Sequence, residues 1–209
     1  MIGDVHIHSK YSPDSNSEPD EIIKFAKMKG LDFIAIADHN RFHTHKGDII
    51  TIPAEEVSSK DGHVLALFID REIPSSLSQE ETVELIHEGN GIAVVAHPFR
   101  LINGVRSSFR NIYDAIETKN GRCMSGCNEK ASMLARSLGK PMTAGSDAHF
   151  YDEIGRTYIK TVAADVEDIR KAILSKDVEP LGQDLSVGGQ FKLYYKIMTE
   201  RAKRGFKRI

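Results

Sequence analysis

Phe33-Ile34-Ala35-Ile36-Ala37-Asp38-His39 is a run of five apolar residues that ends on an acid and a histidine. Read as a strand, it is buried along its length and delivers Asp38 and His39 at its end. The same construction recurs. Ile92 to Ala96 delivers His97-Pro98, Pro141 to Ala144 leads into Gly145-Ser146-Asp147-Ala148-His149, and Met1-Ile2 with Val5 precede His6 and His8. Ile49 to Pro53 stops before Glu55 and Glu56, and an Asp61-Gly62 turn opens into His63 to Ile69. A weaker strand from Ala115 to Thr118 delivers Asn120, and Tyr158 to Val162 is the last. Amphipathic stretches lie between. One is capped by Ser17 and stops at Gly30; another is capped by Ser78, with Glu81 three residues on, and stops at Gly89-Asn90-Gly91. Two more run from Asn128 to Leu138 and near Val166 to Leu174. Strands alternating with helices predict an α/β fold with a mainly parallel sheet, in one domain. In α/β barrels strand ends converge on one rim, so residues far apart in sequence can surround one cavity.

What stands at those ends decides the chemistry. Six of the nine histidines fall in these short islands, together with Asp14, Glu56 and Asp147. A lone histidine on an apolar face is usually a hydrogen-bonded core residue; several islands of metal-binding types at strand ends are not explained by packing. Imidazole with carboxylate suits Zn²⁺, Mn²⁺ or Fe²⁺, and His6, His8, Asp14, His39, Glu56, His63, His97, Asp147 and His149 are too many ligands for one ion. Two or three divalent ions are expected. His43 and His45, in a polar loop, and His87, on a helix face, are expected to be solvent-exposed.

With 28% charged residues and a net charge of −2, the 209-residue chain is not a general nucleic-acid coat. No signal-peptide pattern opens it, and no apolar run approaches the ~20 residues of a membrane span, so a cytoplasmic protein without membrane contact is expected. Cys123 and Cys127 form C-x₃-C, which reads as two reduced thiols. There is no P-loop and no C-x₅-R phosphate cradle, which argues against nucleotide as an energy source and against cysteine-dependent phosphatase chemistry.

The islands, in this order from His6 to about Gly182, resemble the PHP (polymerase and histidinol phosphatase) family of metal-dependent phosphoesterases. The stretch from Asn128 to Gly155, with G-S-D-A-H and E-I-G, is similar to the C-terminal segment of small PHP proteins. The resemblance implies a distorted seven-stranded β/α barrel over residues 1–182, with a basic tail, 183–209, belonging to the same domain. It implies a trinuclear site: His6 and His8 with Glu56 and Asp147 on one ion, His63 and His97 with bridging Glu56 on a second, and Asp14, His39 and His149 on a third. Glu56 rather than Glu55 is the ligand because Val57-Ser58 follows it. Asp38 is expected to orient His39 or the bound water, and Asp38, Glu56 and His149 are the expected catalytic residues.

A site of this kind hydrolyses phosphomonoesters or phosphodiesters with a metal-activated hydroxide. Arg100, two residues past His97-Pro98, and Arg41, just after His39-Asn40, are expected to bind the phosphate, since a guanidinium is a bidentate donor. Asn120 is expected either to bind substrate or to turn the chain. A nucleotide or short oligonucleotide is the favoured substrate, with a small metabolite such as histidinol phosphate as the alternative and no obligate protein partner. From other classes, a catalytically inactive metal-binding module and a carbon–nitrogen hydrolase are the competing readings. The tail carries Lys192, Lys196, Arg201, Lys203, Arg204, Lys207 and Arg208 beside Tyr194, Tyr195, Ile197 and Met198. It is read as an amphipathic helix packed on the barrel through its apolar side, or as a guide for an anionic polymer.

Overall fold

The computed structural model describes residues 1–105 and 108–203. In chain order these form β1 (Ile2–Ile7), α1 (Pro19–Met28), β2 (Phe33–Ile36), β3 (Ile50–Ser59), β4 (Gly62–Leu67), α2 (Gln79–Glu88), β5 (Ile92–Val95), β6 (Ala115–Asn120), α3 (Ser125–Leu138), β7 (Met142–Gly145), β8 (Thr157–Thr161), α4 (Val166–Ser175), β9 (Val178–Gly182) and α5 (Val187–Lys203). The strands lie in one sheet in the order β7-β6-β5-β4-β3-β2-β1-β8-β9.

That sheet curls until it nearly closes. Beyond β7, Ala148 pairs in parallel with Ile7, Asp147 N–H donates to His6 O at 2.7 Å, and His8 N–H donates to Ala148 O at 2.8 Å. Gly145 permits the approach: a Cβ there would stand 2.2 Å from Cβ of His6. Curling also explains the core, where Val5, Phe33, Ile52, Leu65, Val94, Ala115, Ala144 and Ile159, from eight different strands, share one buried cluster. A second apolar layer, including Val83, Ile86, Ala131 and Ala135, covers the sheet beneath α2 and α3, and a third lies under α1.

Nine strands, not seven, make the sheet. The sheet is also more mixed than expected. β1, β2 and β3 run parallel, as do β5, β6 and β7, but β4 is antiparallel to both its neighbours. Only two residues, Lys60 and Asp61, join β3 to β4, and so short a link can form only a hairpin. β8 and β9 add an antiparallel pair beside β1. β9 was not foreseen because Val178-Glu179-Pro180-Leu181-Gly182 carries a proline and a glycine; at the sheet edge that proline costs no ladder bond.

Helix ends follow the predicted chemistry with one exception. Ser78 and Glu81 close a reciprocal capping box on α2, and Gly139 and Lys176 end α3 and α4 in the left-handed region. α1, however, is capped by Glu18, and the Ser17 hydroxyl donates instead to His149 O at 3.2 Å. α5 docks by burying Leu193, with Leu185 N–H on Cys123 O at 3.0 Å. Tyr194 and Tyr195, expected on its packed side, are exposed. Arg204, Lys207 and Arg208 lie outside the described residues. No described helix is long and apolar enough to cross a membrane.

Candidate metal centre

All nine expected ligands meet at one rim of the barrel. Within four sets, ligand atoms lie within 4.8 Å of one another: His8, Asp14, His39 and His149; His6, His97 and Asp147; His6, His8 and Glu56; and His39, Glu56 and His63. The sets interpenetrate more than the expected three-way division. His8 also joins the Asp14 group, and His97 stands with His6 and Asp147 as well as beside Glu56.

Glu56 is the hub. Its Oε1 is 2.9 Å from His63 Nδ1, 3.0 Å from His97 Nε2 and 3.5 Å from His6 Nε2; its Oε2 is 2.9 Å from His39 Nδ1 and 3.3 Å from His8 Nε2. Period-two alternation along β3 sends Glu55 to the opposite face, where Oε2 accepts from Ile73 N–H at 2.9 Å and Oε1 has no partner. At the outer edge Asp14 Oδ2 lies 2.9 Å from His149 Nε2 and 3.5 Å from His39 Nε2.

The surrounding hydrogen bonds settle which ring nitrogens carry protons. His6 Nδ1 is 2.8 Å from Glu117 Oε1, and a carboxylate can only accept. Ser12 Oγ gives its one proton to Asp38 Oδ1 at 2.9 Å, so it accepts from His8 Nδ1 at 3.0 Å and from His39 N–H at 2.9 Å. His149 Nδ1 donates to Asp147 O at 2.9 Å. His6, His8 and His149 therefore each commit Nδ1 to a fixed partner and turn Nε2 inward, and Nε2 of His6 and of His8 stand 3.2 Å apart. At that distance, flanked by Glu56 and Asp147, the two nitrogens call for positive charge between them, as a proton on one ring or as a metal ion. Divalent metal meets this requirement, and the donor set of imidazole and carboxylate suits it.

Electrostatics agree. Burial would raise the Glu56 carboxyl, but His63, His39 and His6 outweigh it and hold the group well below the usual range. At Asp147 burial is outweighed by Arg100 and His6, and at Asp14 by His149, with the same direction. Burial disfavours a charged His39, yet Glu56 and Asp14 lift it to about 10. Burial also opposes the charged His6, which Glu117, Glu56 and Asp147 nonetheless raise well above an ordinary imidazole; His8 is lowered by burial and by its neighbours His149 and His39.

Several expected residues take supporting places. Asp38 accepts from Ser9 N–H at 2.6 Å, Ser9 Oγ at 2.7 Å and Ser12 Oγ at 2.9 Å, so it acts on His39 and His8 through Ser12 and not on a ring directly. Asn120 is wholly buried, and its amide donates to Glu117 Oε2 at 3.0 Å and Asp147 Oδ2 at 3.3 Å, which places it behind Asp147. Arg100 Nη1 reaches Asp147 Oδ2 at 2.6 Å. Arg41 is exposed at the rim, 3.5 Å from Glu72. His43 and His45 are half-buried against Tyr11 rather than exposed, with ring centroids 3.9 and 6.4 Å from it. His87 is exposed and pairs with Asp114 at 2.8 Å. Glu117, Ser12 and the buried Arg122–Glu153 pair were missed. Glu153 Oε2 accepts from Arg122 and from His149 N–H, both at 2.9 Å. A lone acid inside the apolar run Ala115-Ile116-Glu117 was the available signal for the first. His97, Asp147 and Asn40 have φ of 27°, 55° and 53°, so the strand-end turns carry backbone strain at or beside ligand positions.

The PHP domain family model matches residues 4–127, and the PHP-associated model matches residues 127–178. The chain belongs to the PHP family. Two relatives are uncharacterized proteins of Methanocaldococcus jannaschii. One is 38% identical over 120 residues, covering 47% of this chain and 68% of that protein; the other is 33% identical over 178 residues, covering 80% and 73%. Among solved structures, a two-domain Bacteroides vulgatus protein containing a predicted PHP-like metal-dependent phosphoesterase superposes with a TM-score of 0.72, at 18% identity, over 94% of this chain and 69% of that one. A lesion-specific endonuclease from Pyrococcus furiosus superposes at 0.70, with 20% identity, over 89% of this chain and 60% of that one. At these identities the structural likeness speaks for the PHP fold.

Proposed function

We propose that this PHP protein is a metal-dependent phosphoesterase whose substrates are nucleotides or short oligonucleotides. The observation that carries the reading is Glu56 ringed by five imidazoles, with Nε2 of His6 and Nε2 of His8 only 3.2 Å apart. His6, His8, Glu56 and Asp147 would hold one ion, His63 and His97 a second shared with Glu56, and Asp14, His39 and His149 a third, as Zn²⁺, Mn²⁺ or Fe²⁺. Ions bound there supply Lewis acidity toward phosphoryl oxygens and acidify water at neutral pH. Glu117, Ser12 and Asp147 O fix the imidazole tautomers that face them. Arg100, on Asp147 at 2.6 Å, would turn its guanidinium to a phosphoryl oxygen at the rim, and Arg41 stands farther out for the same purpose. Similar solved structures support the reaction class: one contains a predicted PHP-like metal-dependent phosphoesterase, and another is a lesion-specific endonuclease. The full ligand set disfavours an inactive module.

A panel of nucleoside mono- and bisphosphates, short RNA and DNA, and histidinol phosphate tests the reading with metal-reconstituted and chelator-treated protein. Metal-dependent release of phosphate or shorter products from the nucleotide members is expected. Turnover of histidinol phosphate alone would replace the substrate class, and no turnover of any ester would refute the reaction.

A further inference from the structure

α5 packs on the barrel by the side that carries Leu193 and Lys196. Leu193 is buried, and Lys196 pairs with Asp152 and sets its Nζ 4.0 Å over the Phe150 ring. These contacts fix the rotation of the helix, and they turn its aromatic residues outward. Val187, Phe191, Tyr194 and Tyr195 are 66%, 73%, 65% and 72% exposed; Ala202 is exposed and Met198 partly so. At about 100° per residue these positions, and no others of α5, fill one arc of about 100°. A surface helix ordinarily turns such a stripe toward its own core. Here the stripe faces away, and of the four exposed aromatic side chains among the described residues it holds three.

The stripe is also palindromic. Counted from a point between Tyr194 and Tyr195, its members lie at equal and opposite offsets: Tyr194 and Tyr195, Phe191 and Met198, Val187 and Ala202. A two-fold axis through that point sets the members of each couple against one another across two antiparallel helices, which is the self-complementarity of an isologous contact. We propose that α5 pairs antiparallel with α5 of a second copy of this chain. Tyr194 then meets the partner's Tyr195, Phe191 the partner's Met198, and Val187 the partner's Ala202. A bilayer or a polyanion imposes no such symmetry. Charge favours the same direction. No charged residue stands in the stripe, and the antiparallel register keeps the two Lys203 ends about 25 Å apart along the axis, beyond the ~8 Å Debye length. A parallel pair would set them side by side. The area suits a reversible dimer. An aromatic side chain covers roughly 150–250 Å² when fully buried. Three mostly exposed rings, with Val187 and Met198, would therefore remove on the order of 1,000 Å² from two copies together, the lower bound for a specific contact. A Kd on the order of 10 μM is expected from a contact of that size.

Sedimentation velocity of the full chain, from about 1 to 100 μM, brackets that Kd. The mass should rise from 23.3 kDa toward twice that value. Phe191→Glu and Tyr195→Glu, each at an exposed side chain, should weaken association at least about tenfold by placing an unpaired charge in the contact. Far-ultraviolet circular dichroism and the thermal midpoint should not move. Thiol cross-linking with dibromobimane, in protein carrying Cys127→Ser, reads the register. Phe191→Cys mixed with Met198→Cys should give a covalent dimer. Phe191→Cys alone should not, because its two copies are offset by about 10 Å along the axis. A parent that stays monomeric throughout, whether or not α5 then binds anionic vesicles or an oligonucleotide, would overturn the proposal. So would a dimer that persists in both glutamate variants. Cross-linking of Phe191→Cys by itself would overturn the antiparallel register. Each of these outcomes leaves the phosphoesterase reading untouched.

Discussion

Glu55 and Glu56 are chemically identical neighbours with opposite fates. Glu56 faces five imidazoles, whereas Glu55 points to the far side of β3 and leaves Oε1 buried without a partner. Glu56→Gln should lower metal-dependent activity by at least about 100-fold, because an amide offers one neutral acceptor where two cations need a shared anion; Glu55→Gln should stay within a few-fold of the parent. Steady-state kinetics on a nucleotide substrate check both, and the reverse ranking would mean that the strand presents its other face. Glu55 has a second, pH-linked consequence. Burial raises its pKa to about 7, so the folded protein keeps a proton that the unfolded chain releases above about 4.5. Its contribution is neutral below that range, turns unfavourable as pH rises, and is fully unfavourable above about 7. Relative to the parent, metal-free Glu55→Gln should therefore gain on the order of 2 kcal/mol between pH 5 and pH 8. Urea unfolding at the two pH values measures it, and a difference that does not change with pH would show Glu55 ionised throughout. At this scale the sequence was informative about which residues cluster at the rim, because their types are rare in apolar strands. It was silent on Ser12 and Arg122, whose roles depend on partners that only the fold brings near.

Elements were legible where one local signal dominated. The apolar runs at Phe33, Ile92 and Pro141, the capping box at Ser78 and the glycine stop at Gly139 all lie where the pattern placed them. Misreadings came where a residue had two possible partners or an edge position relaxed the rules. Ser17 abandons its helix for His149 O, and Pro180 is admitted because β9 is an edge strand. The turn after β7 shows how an element carries the site. Gly145 lets it pass against His6, so that Asp147 and His149 arrive beside His6 and His8. Gly145→Ala should cost about 1–3 kcal/mol of stability through overpacking and should also weaken metal binding, since the displaced segment carries two ligands. Denaturant midpoint and metal titration check the two effects. A variant with parental values in both would show that β7 can retreat without disturbing the rim.

For the whole molecule, curling gathers the ligands. His6 and His149 are separated by most of the chain, yet β1 and the segment after β7 exchange backbone hydrogen bonds. An α/β fold with a curled sheet was predictable from the order of strands and helices, but not that its described pairings are half parallel and half antiparallel. The β3–β4 hairpin and the outer β8–β9 pair were not, because pairing direction and edge position depend on connection length and on which surface is left uncovered. Closure places six imidazoles and three carboxylates at one rim, and that concentration of ligand-type groups is the basis on which a polynuclear centre is proposed. Elemental analysis of the reconstituted, desalted protein tests this most directly. The account predicts two or three divalent ions per chain; one ion or fewer, bound to a protein that remains folded, would contradict it.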